Sequence, residues 1–511
     1  MTGVVQADER ALGAGAPPRA DAPAAGAVSA FPRALAFLLY TVFVLSGVAG
    51  LIYESIWSHY LGLFVGHGAY AQVIVLAIFL GGMAVGALIV GERSERVREP
   101  LLWYVAAELA VGIYGLAFHD LFLAATTFAY EAVFPAVHGG ALLVGAKWLI
   151  AGALIVPPSI VLGTTFPLMS AGTIRRAPRA PGRVLALLYF ANSLGGSAGG
   201  LIAGFYLIGF AGLPGTVLTA AMLNFAVAGA VYFGVRALPA ATGRAAARST
   251  GVQPDGAATE PVAVPEATFA ARAAAEDLAA APSSAWLWRL LLAVSFGTAV
   301  ASFIYEIAWI RMLSLVLGSA THSFELMLSA FILGIAVGAL WIHRRADSFR
   351  EPLRALGVLQ LAMGLAALAT LPIYAGSFEW TADLLAALRR SDGGYRLFNL
   401  ARYGVSLAVM FPAAFFAGTT LPLITKILIG AGHGERSIGA VYGFNTLGSI
   451  AGVGLAGLVL LPLTGVEMLL VIGAGLDMAL GVAILGRSGS RIVALRRAGL
   501  AGALAATAVL V

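Results

Sequence analysis

Two glutamates inside long apolar segments are the strongest candidates for chemistry. Each follows a tyrosine and precedes a tryptophan, in Ile52-Tyr53-Glu54 with Trp57 and in Ile304-Tyr305-Glu306 with Trp309. An ionisable side chain in an apolar segment is costly and usually faces a cavity or a charged partner. Aromatic faces attract ammonium groups. The pattern predicts a cation site built from these two carboxylates and four aromatic rings. The alternative is an aromatic anchor at a membrane interface, with each glutamate bonded to a neighbouring helix end or to an arginine.

Two prolines in apolar segments indicate helices that bend. Pro167 lies four residues after Gly163, and Pro422 lies four residues after Gly418. Proline cannot bond the carbonyl four residues back, so each proline frees a carbonyl and kinks its helix. The adjacent threonines are expected to bond the backbone there. Broken helices at matching places in two halves are typical of transport sites. The alternative is a kink that serves packing only.

Two tyrosine–asparagine pairs recur in the same way. Tyr189 with Asn192, and Tyr442 with Asn445, lie three residues apart and so share a helix face. We expect them either to hydrogen-bond between helices or to line a cavity.

Two further acids lie in apolar surroundings, and each has an amide as its counterpart in the other half. Glu108 corresponds to Gln360, and Asp477 corresponds to Asn224. A position that stays polar while its charge changes suggests that one site is used asymmetrically.

Composition excludes most other functions. Hydrophobic residues make up 60% of the 511 residues and charged residues 11%, whereas soluble domains carry roughly a quarter charged residues. The absence of cysteine excludes disulfides and thiolate metal sites, and the histidines lack metal-ligand spacing, so no metal or other cofactor is expected. No glycine-rich loop follows a strand pattern, so no catalytic residue is assigned. The net charge of +6 comes from loop arginines, and no nucleic-acid partner is expected.

The chain is instead predicted to consist of membrane spans. Apolar segments long enough to cross roughly 30 Å of hydrocarbon begin near residues 34, 69, 101, 140, 185, 213, 287, 323, 353, 400, 438 and 466. Basic residues gather after the even-numbered spans, so the positive-inside rule predicts a cytoplasmic N-terminus. Counted from Arg33 and Arg289, both Glu54 and Glu306 are expected toward the outer ends of their spans.

Five regions follow from this pattern. They are a disordered cytoplasmic tail (1–32), a first six-helix half (33–235), a flexible cytoplasmic linker (236–285), a second six-helix half (286–487), and a basic segment with the start of a further span (488–511).

An internal repeat relates the two halves. The Tyr-Glu-x-x-Trp element recurs after 252 residues, and the same register joins Glu99-Pro100-Leu101 to Glu351-Pro352-Leu353. Gly163-Thr164-Thr165 recurs as Gly418-Thr419-Thr420 after a slightly longer interval. Because six is an even number of spans, the halves share one orientation, as the two halves of major facilitator transporters do.

These residues resemble the membrane region of the bacterial fused, major-facilitator-like spermidine synthase family. The resemblance rests on Ser46-Gly47, on Gly50-Leu51-Ile52-Tyr53-Glu54 with Trp57, on Phe79-Leu80 with Gly82, Ala84 and Gly86, on Gly163-Thr164-Thr165 with Pro167, on Tyr189 with Asn192, Gly195 and Gly199, and on their second-half copies. It implies a bacterial inner-membrane protein linked to polyamines through a C-terminal aminopropyltransferase-like domain. This chain ends at Val511 without such a domain, so a truncated chain is expected and the enzymatic activity is not carried over.

The leading hypothesis is therefore an all-α, twelve-span, transporter-like membrane domain that binds or moves a polyamine or other organic cation. Glu54 and Glu306 would be its counter-ions, and the proline-containing spans would move. Two alternatives stay open. The chain is either a non-transporting membrane scaffold for a synthase-like domain or partner, or the membrane part of an enzyme whose catalytic domain lies outside this chain. In each case the lipid bilayer is a partner.

Overall fold

The computed structural model describes residues 33–66, 69–93, 96–177, 181–237, 285–318, 321–388 and 391–487. All regular structure in these ranges is helical, which confirms the predicted all-α fold. The predicted tail, most of the predicted linker and the final basic segment lie outside the described residues.

The first half contains six long helices. They are α1 Arg33–Val65, α2 Ala69–Arg93, α3 Pro100–Phe128, α4 Gly140–Ile174, α5 Pro181–Ile202 and α6 Ile208–Ala237. A π-helical turn, Ala129–Val133, and a last turn, Phe134–Ala136, extend α3, and a second π-helical turn, Ala203–Leu207, joins α5 to α6.

The second half repeats this order. Its helices are α7 Ala285–Leu317, α8 Thr321–Arg345, α9 Pro352–Ala387, α10 Asp392–Leu428, α11 Arg436–Gly454 and α12 Leu461–Arg487. A 3-10 turn, Ala346–Ser348, follows α8, and π-helical turns Ile429–His433 and Leu455–Leu460 follow α10 and α11. The predicted two halves of six helices each are confirmed.

Two glycines, one near the start of α6 and one near the start of α12, interrupt helical stretches that would otherwise continue as single long helices. Ten helical stretches in the described ranges are long and apolar enough to cross a membrane, and the two longest have 57 and 52 residues. A span needs only about 20 residues. Each of the two stretches breaks at a glycine with positive φ, Gly212 at 65° and Gly465 at 79°, a conformation that residues with a side chain rarely adopt. The ten stretches therefore provide twelve spans.

The first helix of each half is longer than its sequence predicts. α1 and α7 have 33 residues each, or about 50 Å. Glu54 and Glu306 both lie 21 residues after the first residue of their helices, Arg33 and Ala285, and 11 before the last. Both glutamates therefore lie past the midpoint of their helix, on the side that the sequence predicts, with about three helical turns beyond them.

Close helix crossings hold the two halves together. α2 packs against α11, and α5 packs against α8. Gly91 and Gly439 meet where α2 crosses α11, and a Cβ on Gly439 would lie only 2.2 Å from the Cα of Gly91. At the α5–α8 crossing the hydroxyl oxygens of Ser197 and Ser329 lie 2.8 Å apart. Helices in lipid associate through such close packing and hydrogen bonds, because burial from lipid gives no hydrophobic gain.

Candidate functional site

A cavity of about 180 Å³ lies between the halves. Seven helices contribute to it: α1, α2, α5, α7, α8, α10 and α11. Its lining residues are Glu54, Leu76, Leu80, Met83, Tyr189, Thr298, Ala299, Ser302, Phe303, Glu306, Leu328, Phe331, Ile332, Ile335, Ala417, Thr420, Leu421, Tyr442, Asn445, Thr446 and Ser449. The cavity is smaller than the roughly 300 Å³ at which pockets for drug-sized ligands begin, so it suits a small solute.

The two glutamates of the repeated element both line this cavity. Equivalent positions in α1 and α7 bring Glu54 and Glu306 to it from opposite halves. Glu306 is buried and Glu54 is half-buried. The sequence repeat thus corresponds to a pair of acids facing one space.

Neither glutamate has a positively charged neighbour. Among the residues that line the cavity there is no lysine, arginine or histidine. In the described ranges, every ion pair within 4.0 Å involves other acids. Burial of an unpaired carboxylate costs several kcal/mol, on the order of the penalty for any desolvated ion. A cation in the cavity would offset that cost.

Four of the hydroxyl groups that line the cavity act as hydrogen-bond acceptors toward it, beside the hydroxyls of Thr298, Tyr189 and Tyr442. Ser302, Thr420, Thr446 and Ser449 each donate their proton to a carbonyl three or four residues earlier in their own helix, at 2.7 to 3.1 Å. A hydroxyl has one donor and two acceptor lone pairs, so each oxygen can still accept a hydrogen bond. All four belong to the second half, and the sequence analysis did not single them out.

The four aromatic residues beside the glutamates lie elsewhere, which corrects their predicted role. Tyr53 stacks on Trp57 at 5.0 Å inside the core of the first half, and Tyr305 lies 5.4 Å from Trp309 inside the core of the second. None of the four lines the cavity. Each tyrosine directly precedes its glutamate and so points about 100° away from it. Each tryptophan lies three residues after its glutamate, but it packs on the tyrosine and faces the core. The aromatic rings at the cavity are those of Phe303, Phe331, Tyr189 and Tyr442.

The tyrosine–asparagine pairs reach the cavity in part. Tyr189, Tyr442 and Asn445 line it, and Asn445 donates from Nδ2 to the carbonyl of Ser295 at 3.3 Å. Asn192 is not among the lining residues. The Phe166 ring stacks on the Tyr442 ring at 5.0 Å and meets the Tyr189 ring edge-on at 5.9 Å. These three rings form an aromatic wall between the halves.

The proline-containing helices run without a break, which corrects the predicted interruption. α4 continues through Pro167, and α10 continues through Pro422. The neighbouring threonine hydroxyls bond carbonyls that the prolines do not free, such as those of Val161 and Phe416.

The glycines before these prolines serve close packing. A Cβ on Gly163 would lie 2.1 Å from the carbonyl oxygen of Met83 in α2, and a Cβ on Gly418 would lie 2.0 Å from that of Ile335 in α8. These contacts belong to the packing alternative, and a moving role for the four residues stays a prediction.

Glu108 and Asp477 form two separate buried clusters, one in each half. Glu108 accepts hydrogen bonds from Ser46 and Asn224, both at 2.6 Å. Asp477 accepts one from the Tyr305 hydroxyl at 2.8 Å and a longer one from Gln360 at 3.5 Å. Each half therefore has one acid and one amide between its third and sixth helices. The acid lies on the third helix in the first half and on the sixth helix in the second half. Neither acid lines the central cavity, so the suggestion that one site is used asymmetrically needs correction.

Charged contacts join the halves at one end of the bundle. The helices α2, α4, α8 and α10 finish at this end and arginines gather there, so it is called the basic end below. Arg175 makes a bidentate contact with Glu435 at 2.7 and 3.0 Å and donates to the carbonyl of Val97 at 2.6 Å. At the opposite end the buried Glu325 of α8 lies 3.9 Å from the ring of His59 in α1. The cavity lies between these two sets of contacts.

Comparisons with known proteins add little to this geometry. No family model matches the chain, and no curated protein matches it. Among solved structures, the chain is similar to the crystal structure of the E. coli fucose:proton symporter FucP, with a TM-score of 0.49 and 14% sequence identity. That match covers 90% of this chain and 100% of the other. The resemblance to spermidine synthase fusions therefore stays a prediction. The chain is a polytopic, all-helical membrane protein with two six-helix halves and a small acidic cavity between them.

Proposed function

We propose that this protein is a transporter-like membrane protein that binds a small organic cation between its halves, with Glu54 and Glu306 as counter-ions. One observation carries the proposal: the two carboxylates face one cavity whose described lining contains no basic residue. A polyamine or related aliphatic amine is the proposed class of solute. The alternative of a scaffold for a synthase-like domain has no comparable observation in its favour.

The rest of the lining offers acceptors and apolar surface to an ammonium group. An ammonium carries three N–H donors and no acceptor. The four hydroxyls donate to their own helices and offer only acceptors to the cavity. Apolar residues of α2 complete the opposite side, where they can contact methylene groups: Leu76, Leu80 and Met83.

The parallel halves suggest how the solute would move. In proteins built from two parallel repeats, one half rocks against the other around a fixed central site. Here contacts at both ends would have to break in turn, Arg175 with Glu435 at the basic end and Glu325 with His59 at the other. The basic end is proposed to face the cytoplasm, which places the N-terminus there too.

Binding of radiolabelled putrescine and spermidine to the purified protein in detergent tests the proposal. We expect saturable binding in the wild type, and a loss of roughly thirtyfold or more in affinity for each of Glu54→Gln and Glu306→Gln, because each removes one partner of a buried ion pair. The matched control is Glu131→Gln with Glu467→Gln, which removes two exposed carboxylates of the same chain.

The outcomes separate the two functions. Retained binding in the control and lost binding in the cavity variants, with unchanged helical circular dichroism, would support the cation site. Absence of saturable binding to the wild type, or equal losses in control and cavity variants, would refute it and favour the scaffold function.

A further inference from the structure

A second cavity, of about 490 Å³, opens on the outer surface of the second half, at the junction of α8 and α9. It is called the basic groove below, and its lining residues include Trp341, Phe349, Arg350, Glu351, Arg354 and Val358. Trp341 and Val358 lie on the parts of α8 and α9 that belong to the membrane-spanning stretches. Arg350 and Arg354 are exposed at the basic end. The groove therefore has an apolar wall along the bundle and two guanidinium groups at its mouth.

The charge around the groove mouth is strongly positive. Residues 344–354 contain four arginines, Arg344, Arg345, Arg350 and Arg354, against two acids. Arg345 lies over the Trp341 ring at 4.6 Å, and Arg354 lies 3.5 Å from Glu351, with both of these side chains about half exposed. Such an exposed pair contributes little stability, so Arg354 remains free to exchange Glu351 for another anion.

The internal repeat shows that the fold does not require this groove. With the offset of 252 residues, Trp341 corresponds to Ile89, Phe349 to Val97, and Arg354 to Leu102. Only Arg350 and Glu351 have matching residues, Arg98 and Glu99, and Glu99 pairs with Arg176 at 3.6 Å. These positions of the first half offer no aromatic ring and no second arginine, although an exposed tryptophan, Trp103, takes the place of the groove residue Ala355. The second half therefore carries extra recognition chemistry at this place.

We propose that the basic groove binds an anionic phospholipid of the adjoining leaflet. Its phosphate would lie between Arg350 and Arg354, and one acyl chain would lie along Trp341, Phe349 and Val358. Guanidinium groups bind phosphate in a bidentate manner, and basic pockets at the ends of membrane helices recognise anionic head groups. The apolar wall faces the exterior of the bundle, where acyl chains surround the protein, so a lipid fits both parts of the groove. This assignment is independent of the proposed cation site.

Native mass spectrometry of the full chain with dioleoylphosphatidylglycerol and dioleoylphosphatidylcholine tests the proposal. We expect one phosphatidylglycerol to be retained in preference to phosphatidylcholine. Arg350→Gln with Arg354→Gln should weaken this binding roughly thirtyfold, since each basic side chain near the surface contributes about a fivefold attraction. The matched control is Arg93→Gln with Arg98→Gln, two exposed arginines at the same end of the first half. Arg354→Leu is a milder variant, because it introduces the residue found at the matching position of the first half, Leu102.

Quenching of tryptophan fluorescence by brominated acyl chains locates the lipid. Brominated phosphatidylglycerol should quench the wild type more than Trp341→Phe, and the difference should vanish in Arg350→Gln with Arg354→Gln. Equal loss of lipid in the control variant would show general surface attraction and overturn the proposal. Displacement of the lipid by millimolar inorganic phosphate, or quenching indifferent to Trp341, would also overturn it, because the groove would then hold an anion without an acyl chain.

Discussion

Exchanging the acid and the amide of one buried cluster tests whether both halves share one arrangement. Asn224 donates to Glu108 at 2.6 Å in the first half, whereas Gln360 donates to Asp477 in the second. Replacement of Asn224 alone by aspartate removes the donor and places two carboxyl groups at this contact. The additional change Glu108→Gln would then reproduce the order of residues found in the second half.

The expected magnitudes follow from the hydrogen bonds that each change removes. Asn224→Asp should lower the free energy of unfolding by about 1–3 kcal/mol, the cost of a buried polar group without its partner. The loss would fall below this range if only the bond is lost, because interhelical hydrogen bonds in membrane proteins average about 0.6 kcal/mol. Glu108→Gln alone should cost less than about 1 kcal/mol, since glutamine can accept from Asn224 and donate to Ser46.

The double variant should recover most of the loss. The buried Tyr53 hydroxyl has no hydrogen-bond partner within the described ranges, whereas its counterpart Tyr305 donates to Asp477 at 2.8 Å. An aspartate at position 224 would give Tyr53 the acceptor that Tyr305 has. We expect the double variant to lie within about 1 kcal/mol of the wild type, a coupling of 1 kcal/mol or more.

Unfolding by sodium dodecyl sulfate in mixed micelles at pH 8, followed by circular dichroism, measures these differences. The reciprocal pair, Gln360→Glu with and without Asp477→Asn, repeats the test in the second half. A double variant as unstable as the sum of its single changes would refute the shared arrangement.

Two further predictions concern the contacts between the halves. Gly439→Ala should destabilise the protein by about 1–3 kcal/mol, because its new Cβ would lie 2.2 Å from the Cα of Gly91. The control in the same titration is Gly454→Ala, whose new Cβ meets nothing within 4 Å. Equal effects of the two changes would contradict the role of the crossing. Arg175→Gln should lower the free energy of unfolding by roughly 1–3 kcal/mol, since it removes charge-assisted bonds to Glu435 and to the Val97 carbonyl. The control Arg344→Gln, which changes an exposed arginine at the same end, should leave stability unchanged. Unchanged stability in Arg175→Gln would show that the contact does not hold the halves together.

The sequence predicts most where both halves keep the same residue for the same reason. The matched Glu54 and Glu306 indicated a shared site, and the cavity contains both. Their aromatic neighbours were assigned to it by proximity in the chain, yet Tyr53 and Trp57 stack on each other and pack into the core. A repeated motif thus identifies the residues that both halves share. Which of those residues can contact a ligand depends on the direction in which each side chain points.

Other features leave no usable signal in the sequence. The π-helical turns Ala203–Leu207 and Leu455–Leu460 occupy matching places, and their residues are ordinary apolar and small ones. Ser302 and Ser449 lie in apolar helices that contain other hydroxyls, and their role depends on which neighbouring helices surround them. Arg354 counts as one more basic residue under the positive-inside rule. Its meaning emerges only when the structure places it beside Trp341.

The differences between the halves suggest how an amine would lie in the cavity. Ser302 and Ser449 of the second half correspond to Gly50 and Gly196 of the first, so these two hydroxyl acceptors have no counterpart in the first half. Ser302 lies one helical turn before Glu306, on the same helix face. An ammonium at Glu306 would therefore have the Ser302 oxygen as a further acceptor, whereas the half-buried Glu54 has a glycine, Gly50, at the matching place.

Glu306→Gln should accordingly weaken amine binding more than Glu54→Gln, by about 1 kcal/mol or roughly fivefold in Kd. Removal of the hydroxyl by Ser302→Ala should lower affinity in the wild type but have a smaller effect once Glu306 is replaced, because both groups would bind the same ammonium. Equal effects of the two glutamate variants, or additive effects of Ser302→Ala, would place the charged end of the solute midway between the halves. In that case the acids would act as a symmetric pair, and the hydroxyls of the second half would belong to helix packing.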